Sequence, residues 1–423
     1  MKAPVLLLWE DTHAQRWAPF SLTRPVSELL LGQHSLRKRI QDFWGVDCVA
    51  TLGPDHLADF REDDSPPVLG VQDAARWDAF PRIIFLSRGV PSGSPPPLPT
   101  HSTPLEIADE RVGWYLAPGD PLPSQLTATL GELAATPGKQ AATLRITGEV
   151  MDGPWRLMAR SSEYLARDLA VPGAGWTTLE PGSRPGVSVI GPHPVWLGHG
   201  VELDPGVLLD TRKGPVALGD SVWVKGLSRL EGPLFVGPES QVLGGSLSAL
   251  SAGPQCRLQG EISHCIILGY ANKAHDGHLG HAMVGRWVNL GAFTSNSDLK
   301  NNYGAVRVPT PHGWVETGLL KVGCFLGDHV RTGIGTLLNT GTVVGAGSNL
   351  FGGVMPPTLV PPFSWGSGAD LVEFRLDAFL DVARTAMSRR GVTLDPAGAS
   401  YLQAVWNEGR RQAAGSVPPQ SAE

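Results

Sequence analysis

Val195-Trp-Leu197-Gly-His-Gly-Val201-Glu-Leu203-Asp-Pro-Gly-Val207-Leu-Leu209-Asp210 carries an aliphatic residue at every sixth position, 197, 203 and 209. The phase resets after Lys213-Gly214-Pro215. It resumes as Val216-Ala-Leu218-Gly-Asp-Ser and Val222-Trp-Val224, then as Ala282-Met-Val284-Gly and Val288-Asn-Leu290-Gly. A last run places Leu326, Thr332, Leu338, Val344 and Leu350 at the same interval. Neither the helical period of about 3.6 nor the strand period of about 2 fits this spacing. It fits a parallel β-helix, in which each hexad is one short strand and one turn, with the aliphatic side chain pointing into the shaft. Glycine after the aliphatic residue is then expected to supply unusual corner angles and close packing of coils.

Working outward, 31 of the 52 glycines lie between Gly186 and Gly353, which marks a separate domain. With 37 prolines as well, the 423-residue chain cannot be all-helical, because these are the two poorest residues in a helix interior. The net charge of −6, without a run of Lys or Arg, lacks the footprint of a nucleic-acid binder. Val5–Trp9 is too short for a signal segment or a membrane span and reads as a buried strand. Cys48, Cys256, Cys265 and Cys324 have no C-x-x-C spacing. These features predict a cytoplasmic protein without a nucleic-acid or membrane partner.

Three regions follow: an α/β domain over residues 1–170, a β-helix over 186–355 and a helical extension over 368–413. In the first, the apolar runs 5–9, 46–52 and 83–86 alternate with helix-compatible stretches such as 35–43. The proline-rich 91–104 reads as a surface loop, and 155–168 as a helix. Near the C-terminus, Leu371, Phe374, Phe379 and Val382 have helical spacing over 370–390. A further helix starts with Asp395 as N-cap and Pro396 at its first position, and the tail 416–423 reads as disordered.

The densest polar stretch interrupts the hexads: Asn272-Lys273-Ala274-His275-Asp276-Gly277-His278-Leu279-Gly280-His281, followed by Asn289 and by Ser297-Asp298-Leu299-Lys300-Asn301-Asn302-Tyr303. Three histidines so close can supply a base near neutral pH, and Asn, Lys and Tyr can hydrogen-bond a polar ligand. No metal site is expected, because His275, His278 and His281 on consecutive coil positions would point in different directions. The plainer alternative is a protruding loop capped by its own side chains.

These residues resemble a family. The hexads, Lys-Ala-x-His, Leu-Gly-x-Ala, Val-Asn-Leu-Gly-Ala and Asn-Tyr-x-Gly are similar to the bifunctional enzyme that acetylates glucosamine-1-phosphate and uridylylates the product. Phe20-Ser-Leu-Thr-Arg-Pro-Val-Ser-Glu-Leu, His275-Asp-Gly-His-Leu-Gly-His, Ser297-Asp-Leu-Lys-Asn-Asn-Tyr-Gly304 and Pro362-Phe-Ser-Trp-Gly366 resemble the GlmU-like sugar nucleotidyltransferases more closely. The resemblance implies an α/β nucleotidyltransferase-like (Rossmann-like) domain, a left-handed parallel β-helix and a homotrimer with donor and acceptor pockets between coils. It places His275 on the general base, His278 on a sugar-binding tyrosine, and Asn289, Asn302 and Tyr303 on acceptor-binding positions. It also implies acetyl-CoA or another acyl-CoA as donor and a sugar phosphate or nucleotide sugar as acceptor. Glu261 matches a family glutamate, but Ser263 stands where the family has a phosphate-binding lysine; Lys273 or Lys300 could replace that charge.

The family's phosphate loop, G-G-x-G-T-R-L-x-P followed by P-K, is altered in the first domain. Asp11-Thr12-His13-Ala14-Gln15 stand where the glycines should be, and Val26 replaces the lysine. Arg16, Arg24 and Arg88 remain candidate nucleotide contacts, with a surface ion pair as the alternative for Arg24 and Arg88. Three functions stay open. One is a coenzyme-A-dependent acyltransferase, the leading expectation. Another is a nucleotidyltransferase with a nonstandard site around Asp11, Arg16 and Arg24, the only case that would require Mg2+. The last is a non-catalytic trimeric scaffold.

Overall fold

The computed structural model describes residues 2–62, 64–126 and 143–415; the tail 416–423, expected to be disordered, lies outside them. An N-terminal α/β domain is followed by a long parallel β-solenoid and C-terminal helices. Val5–Trp9 lies inside a seven-stranded sheet, parallel to Cys48–Leu52 on one side and to Arg82–Leu86 on the other. Leu6, Leu7 and Leu8 are all fully buried, so the strand is covered on both faces and has no reason to alternate. The helix Leu36–Trp44 starts where the Ser35 hydroxyl accepts the Lys38 N–H and ends at Gly45, whose φ of 63° suits glycine.

The proline-rich stretch 91–104 is not loop throughout. Gly89–Pro91 pairs antiparallel with Gly148–Val150, and Thr103–Ile107 joins the main sheet beside Glu110–Leu116. Pro104 fits because the strand on its other side, Leu144–Arg145, pairs only with Leu105 and Glu106.

The solenoid has three faces. One ten-stranded sheet runs from Thr177–Thr178 to Leu359–Val360, and another from Glu202–Leu203 to Asp370–Glu373. Between them in the winding, a six-stranded sheet runs from Ser188–Ile190 to His278–Gly280; Ser295–Asn296 and Leu337–Leu338 continue its line. These are called the first, third and second faces. Leu326, Thr332 and Leu338 fall in turn on the first, third and second, and each is buried, as a six-residue period requires.

The glycines that follow inward aliphatic residues mostly do not make the left-handed corners. On one corner that conformation belongs to Ser221, Glu239, Gln255, Tyr270, Trp287 and His329, with φ between 55° and 64°. The preceding glycine lets coils approach: a Cβ on Gly237 would lie 2.5 Å from the Gly253 carbonyl carbon.

The outward side of the first face is apolar and covered. Leu165 and Leu169, from and just beyond the helix Pro154–Asp168, pack on Ala217 and Phe235, while Trp17, Phe20 and Leu29 join Ile266, Met283 and Phe325. Each such side chain contributes about 1.5–3 kcal/mol by leaving water. Arg24 fastens the same junction: it is 1% exposed and pairs with Glu62 at 2.6 Å and with Asp328 of the solenoid at 2.6 Å.

The polar stretch 272–281 does not break the coils, since Asn272–Lys273 and His278–Gly280 are regular solenoid strands. The break comes later, over residues 298–322, as an excursion containing the hairpin Arg307–Thr310 with Gly313–Glu316. Val306, Val308 and Val322 join the inter-domain core. The stretch 370–390 is helical only over Leu376–Ser388. Asp370–Glu373 is instead a strand antiparallel to Ser364–Ser367, because Leu371 closes the end of the shaft by packing against its core. The final helix is Pro396–Gly415, and the Asp395 carboxylate accepts the Gly398 N–H at 2.7 Å.

Candidate functional site

Parallel register sets Glu261 directly beside His278 on the outside of the second face, with His278 Nδ1 3.3 Å from the Glu261 carboxylate. At the adjoining corner His281 Nδ1 lies 2.7 Å from Asp298 Oδ2, and the His281 ring stacks on His264 at 4.6 Å and 4°. Both groups crowd over Gly280: a Cβ there would meet His278 Nε2 at 2.5 Å and Asp298 Oδ2 at 2.8 Å. Gly280 is itself held by the buried Asn296, whose amide accepts the Gly280 N–H and donates to the Gly280 carbonyl, both at 2.9 Å. Burial pushes the His281 pKa down from the usual histidine value, against the opposing pull of Asp298. A carboxylate that fixes one imidazole nitrogen leaves the other as an oriented base.

The sequence expectations are met unevenly. His275 is exposed at the corner between the third and second faces, with no side-chain hydrogen bond among the described residues. Lys273 is not a surface ligand. It occupies the inward column beside Leu258, is 2% exposed, and donates to the carbonyls of Gln259 at 3.1 Å and of His275. Burial pushes its pKa down to about 8. Lys273 therefore supports the backbone of His275 from inside the shaft.

Lys300 and Asn302 line a cleft of about 940 Å3 with Ser297, Arg307, Trp314 and Asn339. Ser297 and Leu299, the sequence neighbours of Asp298, also line the cleft, whereas Asp298, His281, His278 and His275 are not among its lining residues. Tyr303 is 73% exposed beside it. Asn289 lies apart, on the third face, where Asn272 donates to its side-chain oxygen at 2.9 Å. Within one chain it does not join Glu261 and His278 on the second face. The pairing of His281 with Asp298 was missed, although His264, His281 and Asp298 recur one coil apart, a spacing that stacks side chains in any solenoid.

In the first domain the three arginines do not converge. Arg24 is committed to Glu62 and Asp328, and Arg88 to Asp11 at 2.9 Å, Glu110 at 2.7 Å and the Met151 carbonyl at 3.1 Å. Both are therefore in ion pairs, but buried ones rather than the surface pairs of the alternative reading. Arg16 is exposed, close enough to His312 of the hairpin turn to depress its pKa, though burial is the larger cause. Asp11 also accepts the Ala14 N–H at 2.7 Å, so its carboxylate folds the loop where the family has glycines.

Fold and site together define a class: a nucleotidyltransferase-like α/β domain packed along a hexapeptide-type solenoid, loosely resembling GlmU-family proteins at low identity. Residues 6–75 match the sugar nucleotidyl transferase family model. A bifunctional sugar-1-phosphate nucleotidylyltransferase/acetyltransferase from Sulfurisphaera tokodaii is 28% identical over 95 residues, 22% of this chain and 24% of that protein. The match thus spans about a quarter of that relative's length. A solved Arabidopsis UDP-N-acetylglucosamine acyltransferase is 14% identical over 50% of this chain and 75% of its own, with a TM-score of 0.22, too low to bear on function.

Proposed function

We propose that the protein is an acyltransferase that moves an acyl group, acetyl foremost, from an acyl-CoA thioester to an amine or hydroxyl of a sugar phosphate or nucleotide sugar. The observation that carries this reading is the pair of carboxylate-held imidazoles, His278 with Glu261 and His281 with Asp298, on the solenoid's second face and its adjoining corner. In the step, a neutral imidazole takes the proton of the acceptor N–H or O–H as its lone pair attacks the thioester carbon. The C–S bond then breaks, and the imidazolium returns the proton to the departing thiolate.

His275 is the proposed base, its backbone held by Lys273. A second assignment, His281, is favoured by its orienting carboxylate. Purified protein with acetyl-CoA and a panel of amino and hydroxy sugar phosphates should release free thiol. Loss of that release in His275→Ala supports the first assignment, and loss in His281→Ala alone supports the second.

The reading keeps the division into 1–170, 186–355 and 368–413 and includes a trimer. Glu261 and His278 lie on one face and Asn289 on another, so one small ligand meets all three only where two chains adjoin. The corner next to His275 also exposes Phe293 at 62% and Ile334 at 74%, apolar surface suited to a second copy. Among the described residues no helix is long and apolar enough to cross a membrane. The nucleotidyltransferase reading draws on the family model at 6–75, but the Asp11–Arg88 pair occupies the phosphate loop. Pyrophosphate release from a nucleoside triphosphate with Mg2+ would revive it.

A further inference from the structure

The outward side of the third face carries Arg257, Asn272, Asn289 and Arg331, one per coil. Arg389 and Arg390, just past the helix Leu376–Ser388, face this ladder across a cleft of about 100 Å3 lined by Asn272, Asn289, Arg331 and both arginines. Arg24, Arg37, Arg39 and Arg88 each have a carboxylate partner. Arg331, Arg389 and Arg390 have none among the described residues, and Arg390 Nε is buried without a hydrogen-bond partner. Burial, then the neighbouring guanidiniums, push Arg331 and Arg390 below the usual arginine pKa. Gathering three cations without a counter-charge is unfavourable for the fold alone.

We infer that this cleft binds a phosphoryl group of a ligand. Its volume of about 100 Å3 has room for a phosphoryl group. The planar guanidinium fork matches phosphate oxygens two at a time, and the Asn272 and Asn289 amides sit beside it. The site needs no acyl-transfer chemistry, so it stands whether or not the proposed activity does. It also supplies cationic charge on a different face from Ser263, where the family resemblance implied a lysine.

Calorimetry on the full chain at fixed ionic strength tests it with inorganic phosphate, a hexose 1-phosphate and adenosine 3′,5′-bisphosphate. Binding of at least one is expected, weakened about tenfold or more in the double variant Arg389→Gln/Arg390→Gln and partly retained with lysine at both positions. Preference for the hexose phosphate assigns the site to an acceptor, preference for the bisphosphate to a nucleotide-bearing donor, and equal binding to free phosphate. Should the double variant fail to fold by circular dichroism, Arg331→Gln on the solenoid side gives the same readout. Absence of binding by all three probes, or binding unchanged in these variants, overturns the assignment.

Discussion

His281 and Asp298 form the most directly testable pair at the scale of single residues. Burial holds the His281 imidazole neutral below the ordinary histidine range, while Asp298 pulls the other way. If His281 is the base, acyl transfer should keep its plateau below pH 6.5, and Asp298→Asn should lower both the rate and the acid limb of the profile. A limb unchanged by that substitution points back to His275. Glu10 offers an independent check on the first domain. Burial raises its carboxyl to about 7 although it accepts the Val26 and Ser27 N–H groups. Because this folded-state value exceeds the ordinary one of 4.5, the stability linked to the proton is complete below about 4.5 and lost as pH rises through about 7. Glu10→Gln keeps an acceptor without the charge. Thermal unfolding should therefore show it more stable than wild type at pH 8 and nearly equal to it at pH 4.

Solenoid strands are where sequence legibility was greatest and where its limit is clearest. The hexads located the inward columns because shaft burial imposes a strict period. They said nothing of what covers the outside, so the apolar strip of Phe235, Met283 and Phe325 went unnoticed. Polar residues at 272–281 looked like a break because a lysine in an inward column violates the pattern, yet Lys273 is buried there with backbone carbonyls as partners. Lys273→Met should leave the melting temperature equal or higher, since a hydrophobic replacement for a buried charge is often neutral or stabilising. It should cut kcat at least tenfold if the tie to His275 positions the base. Equal losses of stability and activity would make the role merely structural. Asn296→Ala strips Gly280 of both its hydrogen-bond partners, and denaturant unfolding should show a loss of about 1–3 kcal/mol.

For the whole molecule, the junction of the two domains decides which first-domain residues are free for chemistry. Arg24 looked like a nucleotide contact, and no local pattern could reveal that its partner Asp328 lies 304 residues further on. Arg24→Met leaves Asp328 a buried carboxylate without its guanidinium, while the partly exposed Glu62 keeps Arg286 at 3.2 Å. A cost of about 3–5 kcal/mol is expected, with earlier proteolysis between the domains. The fold class was readable from composition and period, whereas the site was readable only as a list of residue types. Its proposed members fall on two faces, so on the reading proposed above their assembly would need a second chain.

Acyl transfer itself is the measurement on which the account depends most. Purified full-length protein, acetyl-CoA and a panel of amino and hydroxy sugar phosphates should give acceptor-dependent thiol release, abolished by His275→Ala or, on the second assignment, by His281→Ala, with the oligomer intact by light scattering. Absence of thiol release with every acyl-CoA and acceptor pair, or release unaffected by either substitution, would contradict the account.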